Sequence, residues 1–102
     1  MSADAEDVLA FQLKAVGIEF VRQYCYAKPR RLRADFAFPS ARLLVEIQGG
    51  VFQRKAHGSI TGILADIDRL NTATLAGWRL LRFTPQAVQS GEALQLIDRA
   101  LK

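Results

Sequence analysis

The chain has 102 residues, of which 50% are hydrophobic, and a formal net charge of +4 at pH 7. This length supports one small domain with a single core, and the positive charge favours a polyanionic partner without proving one. One cysteine, Cys25, excludes an internal disulfide and a cysteine-rich metal motif, and its simplest interpretation is a small buried apolar residue.

No apolar run is long enough to resemble a signal peptide or a membrane span. We therefore expect an intracellular, cytoplasmic protein with no membrane partner. The compactness of the chain would also suit a protein encoded by a phage or a mobile element.

The first predicted element is a helix from about Asp4 to Val16, which Asp4 can cap and Gly17 can end. Glu6 lies in the first turn, where the helix dipole favours an acidic side chain. Glu6 also borders the inward face, so the residues alone leave open whether it is a surface acid or part of a site. The predicted buried stripe consists of Leu9, Leu13 and Val16.

Residues 18–26 are rich in β-forming side chains and predict a strand, and a basic turn follows at 27–31. No acidic residue occurs between Glu19 and Asp35. The basic side chains of this interval are Arg22, Lys28, Arg30, Arg31 and Arg33. Because the turn leads directly into the segment with Asp35, its cations suit contacts with phosphate oxygens. A solvated turn that is basic only for solubility is the alternative.

The segment 33–50 contains two apolar-polar alternations separated by residues 39–41, which include a proline. Period-two alternation on both sides of a turn predicts an antiparallel hairpin. If the turn is centred on residues 40 and 41, Asp35 lies directly opposite Glu46. A shift of one residue would place the two carboxylates on opposite faces.

Opposed side chains in such a pair have Cβ atoms about 4.5–5.5 Å apart. Two carboxylates that close repel each other, which favours protonation of one of them. A divalent cation between them removes the repulsion, and Mg²⁺ takes oxygen ligands from one or two carboxylates and from substrate phosphates. The pairing of Asp35 with Glu46 therefore predicts a metal site that could hold a phosphodiester.

The following loop carries several polar and basic side chains, and His57, the only histidine of the chain, lies in it. As a general base, His57 would have to reach the attacking water, and an exposed loop histidine is the alternative.

Apolar positions at helical spacing then predict a helix over residues 60–76 that packs one face on the sheet. That face consists of Ile60, Ile63, Leu64, Ile67, Leu70 and Thr74.

Gly77 ends this helix, and residues 78–83 predict a strand with Trp78 in the core. A helical crossover after a hairpin adds such a strand to a mixed sheet by a right-handed connection. A last helix near 91–101, with Ser90 as its cap, is expected to cover the sheet. Its apolar stripe is Ala93, Leu94, Ile97 and Leu101.

The order Asp35, ten residues, Glu46-x-Gln48 on a hairpin resembles the active site of the PD-(D/E)XK nuclease superfamily, which usually has lysine at the position of Gln48. The adjacent Gly49-Gly50 and the later sequence AGWRLLRF are similar to small Vsr-like and DUF559-like endonucleases. The resemblance runs from about residue 6 to residue 101. It implies an α/β fold with a restriction-endonuclease-like αβββαβ core and a mixed four-stranded sheet flanked by helices, in one domain over residues 1–102.

The resemblance implies a metal-dependent DNA endonuclease that nicks or cuts structured DNA, as in repair, recombination or phage DNA processing. Asp35 and Glu46 would bind Mg²⁺ or Mn²⁺, joined by the backbone carbonyl of Ile47. Glu6 would act directly or through a metal-bound water. Gln48 departs from the usual lysine, and an amide can position water or a phosphate oxygen but supplies neither a positive charge nor a base.

DNA contacts are implied for basic and polar residues around this site. The candidates are Lys28, Arg30, Arg31, Arg33, Arg54, Lys55, His57, Arg69 and Asn71. On the long helix, Asp66 and Asp68 are equal candidates for a functional carboxylate, and a solvated helix face is the alternative. A non-catalytic nucleic-acid-binding module, or a structural domain in which Asp35 pairs with a cation, are further interpretations. A symmetric homodimer could cut both strands, whereas a monomer would nick.

Overall fold

A computed structural model describes residues 4–48 and 60–102 of the chain. Its helices are α1 (Ala5–Ala15), α2 (Ile60–Leu75), α3 (Pro85–Ser90) and α4 (Glu92–Leu101). Its strands are β1 (Val21–Ala27), β2 (Leu32–Phe38), β3 (Leu43–Ile47) and β4 (Arg79–Phe83), with a short 3₁₀ turn at Pro39–Ala41. Along the chain, α1 precedes three strands, and α2, β4 and the last two helices follow.

The four strands form a mixed sheet in the order β1-β2-β3-β4. The first three strands pair antiparallel, and β4 pairs parallel with β3 after the crossover through α2. The predicted α/β class, with a mixed four-stranded sheet flanked by helices, is confirmed.

The hairpin has the predicted register. Phe36 pairs with Val45, and Ala37 pairs with Leu44. Continued by one position beyond the last pair, this register sets Asp35 opposite Glu46, the arrangement that the alternation predicted. The 3₁₀ turn between the strands ends at Arg42, whose φ of 52° lies in the left-handed region.

One face of the sheet packs against α1, α3 and α4 and forms an apolar core. Its fully buried side chains include Leu9, Leu13, Phe36, Leu43, Val45, Val88 and Ile97. The ring of Phe20 meets Phe36 edge to face, with the ring centroids 5.4 Å apart. The prediction that Val16 belongs to the buried stripe of α1 is wrong, because the helix ends at Ala15 and Val16 is 56% exposed.

The opposite face carries a smaller buried cluster beneath α2. Its members are Tyr26, Ala34, Ala37, Leu44, Ala73 and Trp78. Trp78 is buried, as predicted, with the ring of Tyr24 edge-on at 5.5 Å between centroids. Cys25 is half-buried rather than fully buried, and its thiol lies 3.7 Å from the carbonyl oxygen of Ala27.

Helix α2 is turned about its axis relative to the prediction. The predicted packing of its aliphatic stripe on the sheet is wrong, because these side chains face outward. Their exposed fractions are 75% for Ile60, 50% for Ile63, 59% for Leu64, 50% for Ile67 and 45% for Leu70. The inward line instead runs through the half-buried Asp66 and Arg69 to the buried Ala73. A polar contact of Arg69 with the sheet, described below, holds this orientation.

Strand β4 ends at Phe83, and α3 begins at Pro85, directly after its N-cap residue Thr84. The Thr84 hydroxyl accepts a hydrogen bond from the N–H of Ala87 at 3.1 Å, and Pro85 occupies the first turn, where a missing N–H costs nothing. The last helix has Gly91 rather than the predicted Ser90 at its N-cap, although the Ser90 hydroxyl accepts from the N–H of Glu92 at 3.3 Å. Across the described ranges, none of the helices has the length and apolar character needed to cross a lipid bilayer.

Candidate active site

Asp35 and Glu46 lie at the open end of the hairpin, and Glu46 contacts α2 there through Arg69. Asp35 is half-buried, and its Oδ2 accepts a hydrogen bond from the backbone N–H of Ile47 at 2.7 Å. This bond spans the two strands beyond the last regular pairs of the ladder. It fixes the Asp35 carboxylate beside the C-terminal end of β3, where Glu46 lies.

Glu6 joins this pair from helix α1. The amide nitrogen Nε2 of Gln23 lies 3.1 Å from Oε2 of Glu6 and 3.4 Å from Oδ1 of Asp35. One side-chain amide therefore bridges two carboxylates from different elements. Glu6 therefore lies beside the hairpin, although it belongs to α1.

Gln23 was not anticipated from the sequence. It lies in the middle of β1 with φ at 51°, in the left-handed region that a residue with a side chain adopts at a cost. Nothing in the local sequence signals this conformation, since glutamine is common in exposed edge strands. The Gln23 amide bridges Glu6 and Asp35, and this contact depends on the folded arrangement of α1, β1 and β2.

Arg22 forms ion pairs with two acidic side chains of α1, Glu6 and Asp7. Its Nη2 lies 2.9 Å from Oε2 of Glu6 and 2.9 Å from Oδ1 of Asp7. Hydrogen bonds to these two acids raise the pKa of Arg22, so it remains charged. The guanidinium group serves Glu6 and Asp7, and no ion pair joins Asp35 to a cation of the described residues.

Burial is the largest cause that raises the pKa of Asp35 above its usual range. The hydrogen bond from the N–H of Ile47 opposes this effect, and the negative charges of Glu6 and Glu46 add to it. Asp35 is therefore a carboxyl group that lacks a counter-charge among its described neighbours. The charge of Glu46 is the smallest of the causes that act on the pKa of Asp35.

Glu46 has a different environment from Asp35. It is 6% exposed, and its two carboxylate oxygens accept from two guanidinium groups, Oε2 from Nη2 of Arg69 and Oε1 from Nε of Arg82 at 3.2 Å. Arg82 faces Glu46 across the parallel pair of β3 and β4. Arg82 was not among the predicted site residues, although its place in the alternation of β4 could have indicated it.

Arg69 acts as an internal link between α2 and the sheet. Besides Glu46, its Nη2 donates to the carbonyl oxygen of Arg33 at 2.7 Å. Burial disfavours the charged form of Arg69, but the hydrogen bond and charge of Glu46 outweigh it, so its pKa is raised. The charge of the half-buried Asp66 acts in the same direction, whereas Asp68 is exposed and pairs with Arg30.

The other predicted residues are more scattered. Arg30 pairs with Asp68 on the surface and donates to Thr72 at 3.1 Å, so this member of the basic turn binds α2. Exposed positions are occupied by Lys28, Arg31, Arg33 and Asn71. Gln48 follows the hairpin, and its backbone N–H donates to the carbonyl oxygen of Phe83 at 2.7 Å. The predicted residues Gly49, Gly50, Arg54, Lys55 and His57 lie outside the described residues.

The described residues contain no group of three or more histidine, cysteine, aspartate or glutamate side chains that could hold a metal ion together. A cation at this site would therefore rest on the Asp35–Glu46 pair and on backbone or solvent oxygens. Asp35 suits a cation because it is a half-buried carboxyl group without a positive partner in the described chain. Glu46 could contribute only if it gives up part of its contact with Arg69 or Arg82.

Comparison of the chain with protein-family models, with curated proteins and with solved structures finds no match.

Proposed function

We propose that this protein is a metal-dependent DNA endonuclease with a restriction-endonuclease-like core, similar to the PD-(D/E)XK superfamily. The observation that carries the proposal is the half-buried Asp35, which has no ion pair among the described residues, with Glu46 opposite it in the hairpin and Glu6 sharing the amide of Gln23. Burial of an uncompensated carboxylate is costly for the fold, and a divalent cation is a ligand that would relieve this cost.

Asp35, Glu46 and the backbone carbonyl of Ile47 would hold Mg²⁺ or Mn²⁺. When bound, such an ion polarises a phosphoryl oxygen and makes a water molecule more acidic. Glu6 would hold a water by its Oε1 side, while Arg22 keeps the opposite oxygen of Glu6 fixed. Gln48, directly after the metal-binding strand, would position a water or a phosphate oxygen through its amide.

Exposed cations at the basic turn support DNA as the partner. Lys28 and Arg31 are exposed in the turn before β2, and Arg33 is exposed near the start of β2, the strand that carries Asp35. Phosphate contacts of this kind supply affinity and position the duplex without reading its sequence. Arg30 is already paired with Asp68, so its contribution to DNA binding would require that surface pair to open.

A second candidate function is a non-catalytic nucleic-acid-binding module on the same fold. The observation in its favour is that two guanidinium groups already neutralise Glu46. In that case Glu46 would act as a structural anchor for Arg69 and α2, and the basic turn would carry the binding.

The two functions separate in a cleavage assay on supercoiled plasmid and on branched and single-stranded DNA, with Mg²⁺, Mn²⁺ or EDTA. Endonuclease activity predicts metal-dependent cutting that Glu46→Gln loses and that Glu19→Gln keeps, because Glu19 is an exposed glutamate outside the site. DNA binding without cutting of any substrate would support the module. Cutting that survives in Glu46→Gln would contradict the proposed site.

A further inference from the structure

The two arginines on Glu46 have more hydrogen-bond donors than their contacts use. A guanidinium group carries five N–H donors in a planar fork. Arg69 uses Nη2 for Glu46 and for the carbonyl oxygen of Arg33, and Arg82 uses Nε for Glu46. A single carboxylate therefore serves as the shared acceptor of two forks.

One of the unused donors is shielded from solvent. Nη2 of Arg82 is buried and has no hydrogen-bond acceptor in the described structure. Buried nitrogen and oxygen atoms nearly always have a partner, so an orphaned guanidinium nitrogen calls for an explanation. The Arg82 side chain as a whole is 29% exposed, so other atoms of the side chain, unlike Nη2, contact solvent.

The position of this donor relates it to the carboxylates. Arg82 lies opposite Glu46 in the parallel pair of β3 and β4, and Asp35 lies on the other side of Glu46 across the hairpin. An acceptor bound to Arg82 would therefore lie at the same end of the strands as Asp35 and Glu46. Asp66 adds a negative charge near Arg69 without forming an ion pair with it.

We propose that Arg82, with Arg69 beside it, forms an anion subsite that binds a phosphate oxygen of a phosphodiester. This inference deepens the proposed function and rests on it for the identity of the ligand. A guanidinium fork matches the spacing of two phosphate oxygens, and such charge-assisted contacts are the strong class of hydrogen bond. The subsite supplies a positive charge from β4 where Gln48 supplies none.

The subsite also explains how Glu46 becomes available to a cation. Nε of Arg82 holds Oε1 of Glu46, so a cation and Arg82 compete for the same oxygen. When the guanidinium group turns to a phosphate oxygen, Oε1 is released. Binding of the anion and of the cation should then strengthen each other by equal factors, because linkage is reciprocal.

Titration of the protein with dimethyl phosphate in EDTA tests the subsite, with the arginine Nε–Hε signals followed by NMR. The wild type should show saturable shifts of the Arg82 signal. Arg82→Gln should lower the affinity by about tenfold or more, since it removes charge-assisted hydrogen bonds. Arg99→Gln, which removes an exposed arginine from α4 on the other face, should leave the affinity unchanged.

Arg82→Lys guards against loss of folding in the glutamine variant, because it keeps a charge without the fork. It should bind dimethyl phosphate several-fold more weakly than the wild type, with an unchanged circular-dichroism spectrum. Equal affinities of wild type and Arg82→Lys, or shifts confined to the basic turn at Lys28 and Arg31, would overturn the subsite.

A second arm separates this inference from the proposed function. Mg²⁺ should tighten dimethyl phosphate binding in the wild type and should not do so in Arg82→Gln. Saturable binding at Arg82 in a protein that cuts no DNA would support the subsite and contradict the nuclease. DNA cleavage by a protein whose Arg82 signal never shifts would support the nuclease and overturn the subsite.

Discussion

The two faces of the sheet are covered in opposite ways. On one face, α1, α3 and α4 bury Phe36, Val45 and other apolar side chains completely. On the other face, the polar side of α2 contacts the sheet, and Arg69 links this helix to Glu46. The aliphatic stripe of α2 is exposed. The first face has the composition of a folding core, and the second combines a small apolar cluster with charged groups in contact.

This difference indicates where stability and chemistry reside. Burial of apolar surface is the dominant favourable term in folding, and most of it lies beneath the three helices. The polar face contains charges that burial disfavours, including Asp35, whose pKa is raised mainly by burial. A protein retains such groups at a cost, and strained or costly features concentrate at functional sites.

Phe36→Ala should produce the largest effect, because it removes a fully buried ring from the apolar face. We expect a loss of about 3–5 kcal/mol in the free energy of unfolding. Urea denaturation followed by circular dichroism measures it. A loss no larger than that of a surface substitution would show that the apolar face is not the main source of stability.

Glu46→Gln should have an intermediate effect on stability. It leaves Arg69 and Arg82 without a carboxylate in a partly buried location. Breaking a buried pair costs several kcal/mol, and because both arginines are more than a quarter exposed we expect about 1–3 kcal/mol. Urea denaturation at low and high salt checks this, and an unchanged free energy of unfolding at low salt would contradict the role of Glu46 as the anchor of α2.

Asp35→Asn should change stability in the opposite direction. The pKa of Asp35 is higher in the folded protein than the value of about 3.9 in an unfolded chain. The folded state therefore binds more protons in the interval between these two values, and stability falls as pH rises through it. This loss of stability is complete above the pKa of Asp35 in the folded protein and absent below its pKa in the unfolded chain.

We accordingly expect Asp35→Asn to be at least as stable as the wild type at neutral pH. The difference between the two proteins should shrink as pH falls below the usual range of an aspartate. Urea denaturation across acidic and neutral pH measures both trends. A variant that is less stable than the wild type at neutral pH would show that the hydrogen bond from Ile47 outweighs burial.

Ile67→Gln should have the smallest effect, because Ile67 is half exposed on the outer side of α2. We expect the free energy of unfolding to change by no more than about 0.5 kcal/mol. Analytical ultracentrifugation of the same variant tests whether the protein forms the symmetric homodimer that could cut both strands. A wild-type dimer that becomes a monomer in Ile67→Gln would place the dimer contact on this stripe, and the stability change would then exceed the expected value.

The hairpin was predictable in detail, since alternation fixes the faces and a short turn fixes the register. Asp35 and Glu46 were found on this basis. The orientation of α2 was not, because periodicity reveals a stripe but not the neighbour that covers it. The line through Asp66, Arg69 and Ala73 has the same helical spacing, and only the charge of Glu46 on the sheet makes it the inward one.

The side chains that contact the carboxylates could also not be predicted from the sequence. Gln23 reaches Glu6 and Asp35 through a left-handed backbone conformation that no local pattern signals. Arg82 depends on the parallel register of β3 and β4, which is set by the crossover rather than by neighbouring residues. Non-local pairings of this kind require the tertiary structure.

Binding of a divalent cation at Asp35 and Glu46 is the central claim, and calorimetric titration of Mn²⁺ into the metal-free protein tests it directly. We predict saturable binding by the wild type and by Glu19→Gln. Asp35→Asn should bind at least about tenfold more weakly, since it removes a ligand charge. Equal Mn²⁺ affinities for wild type and Asp35→Asn, or no binding by either, would contradict the proposed metal site.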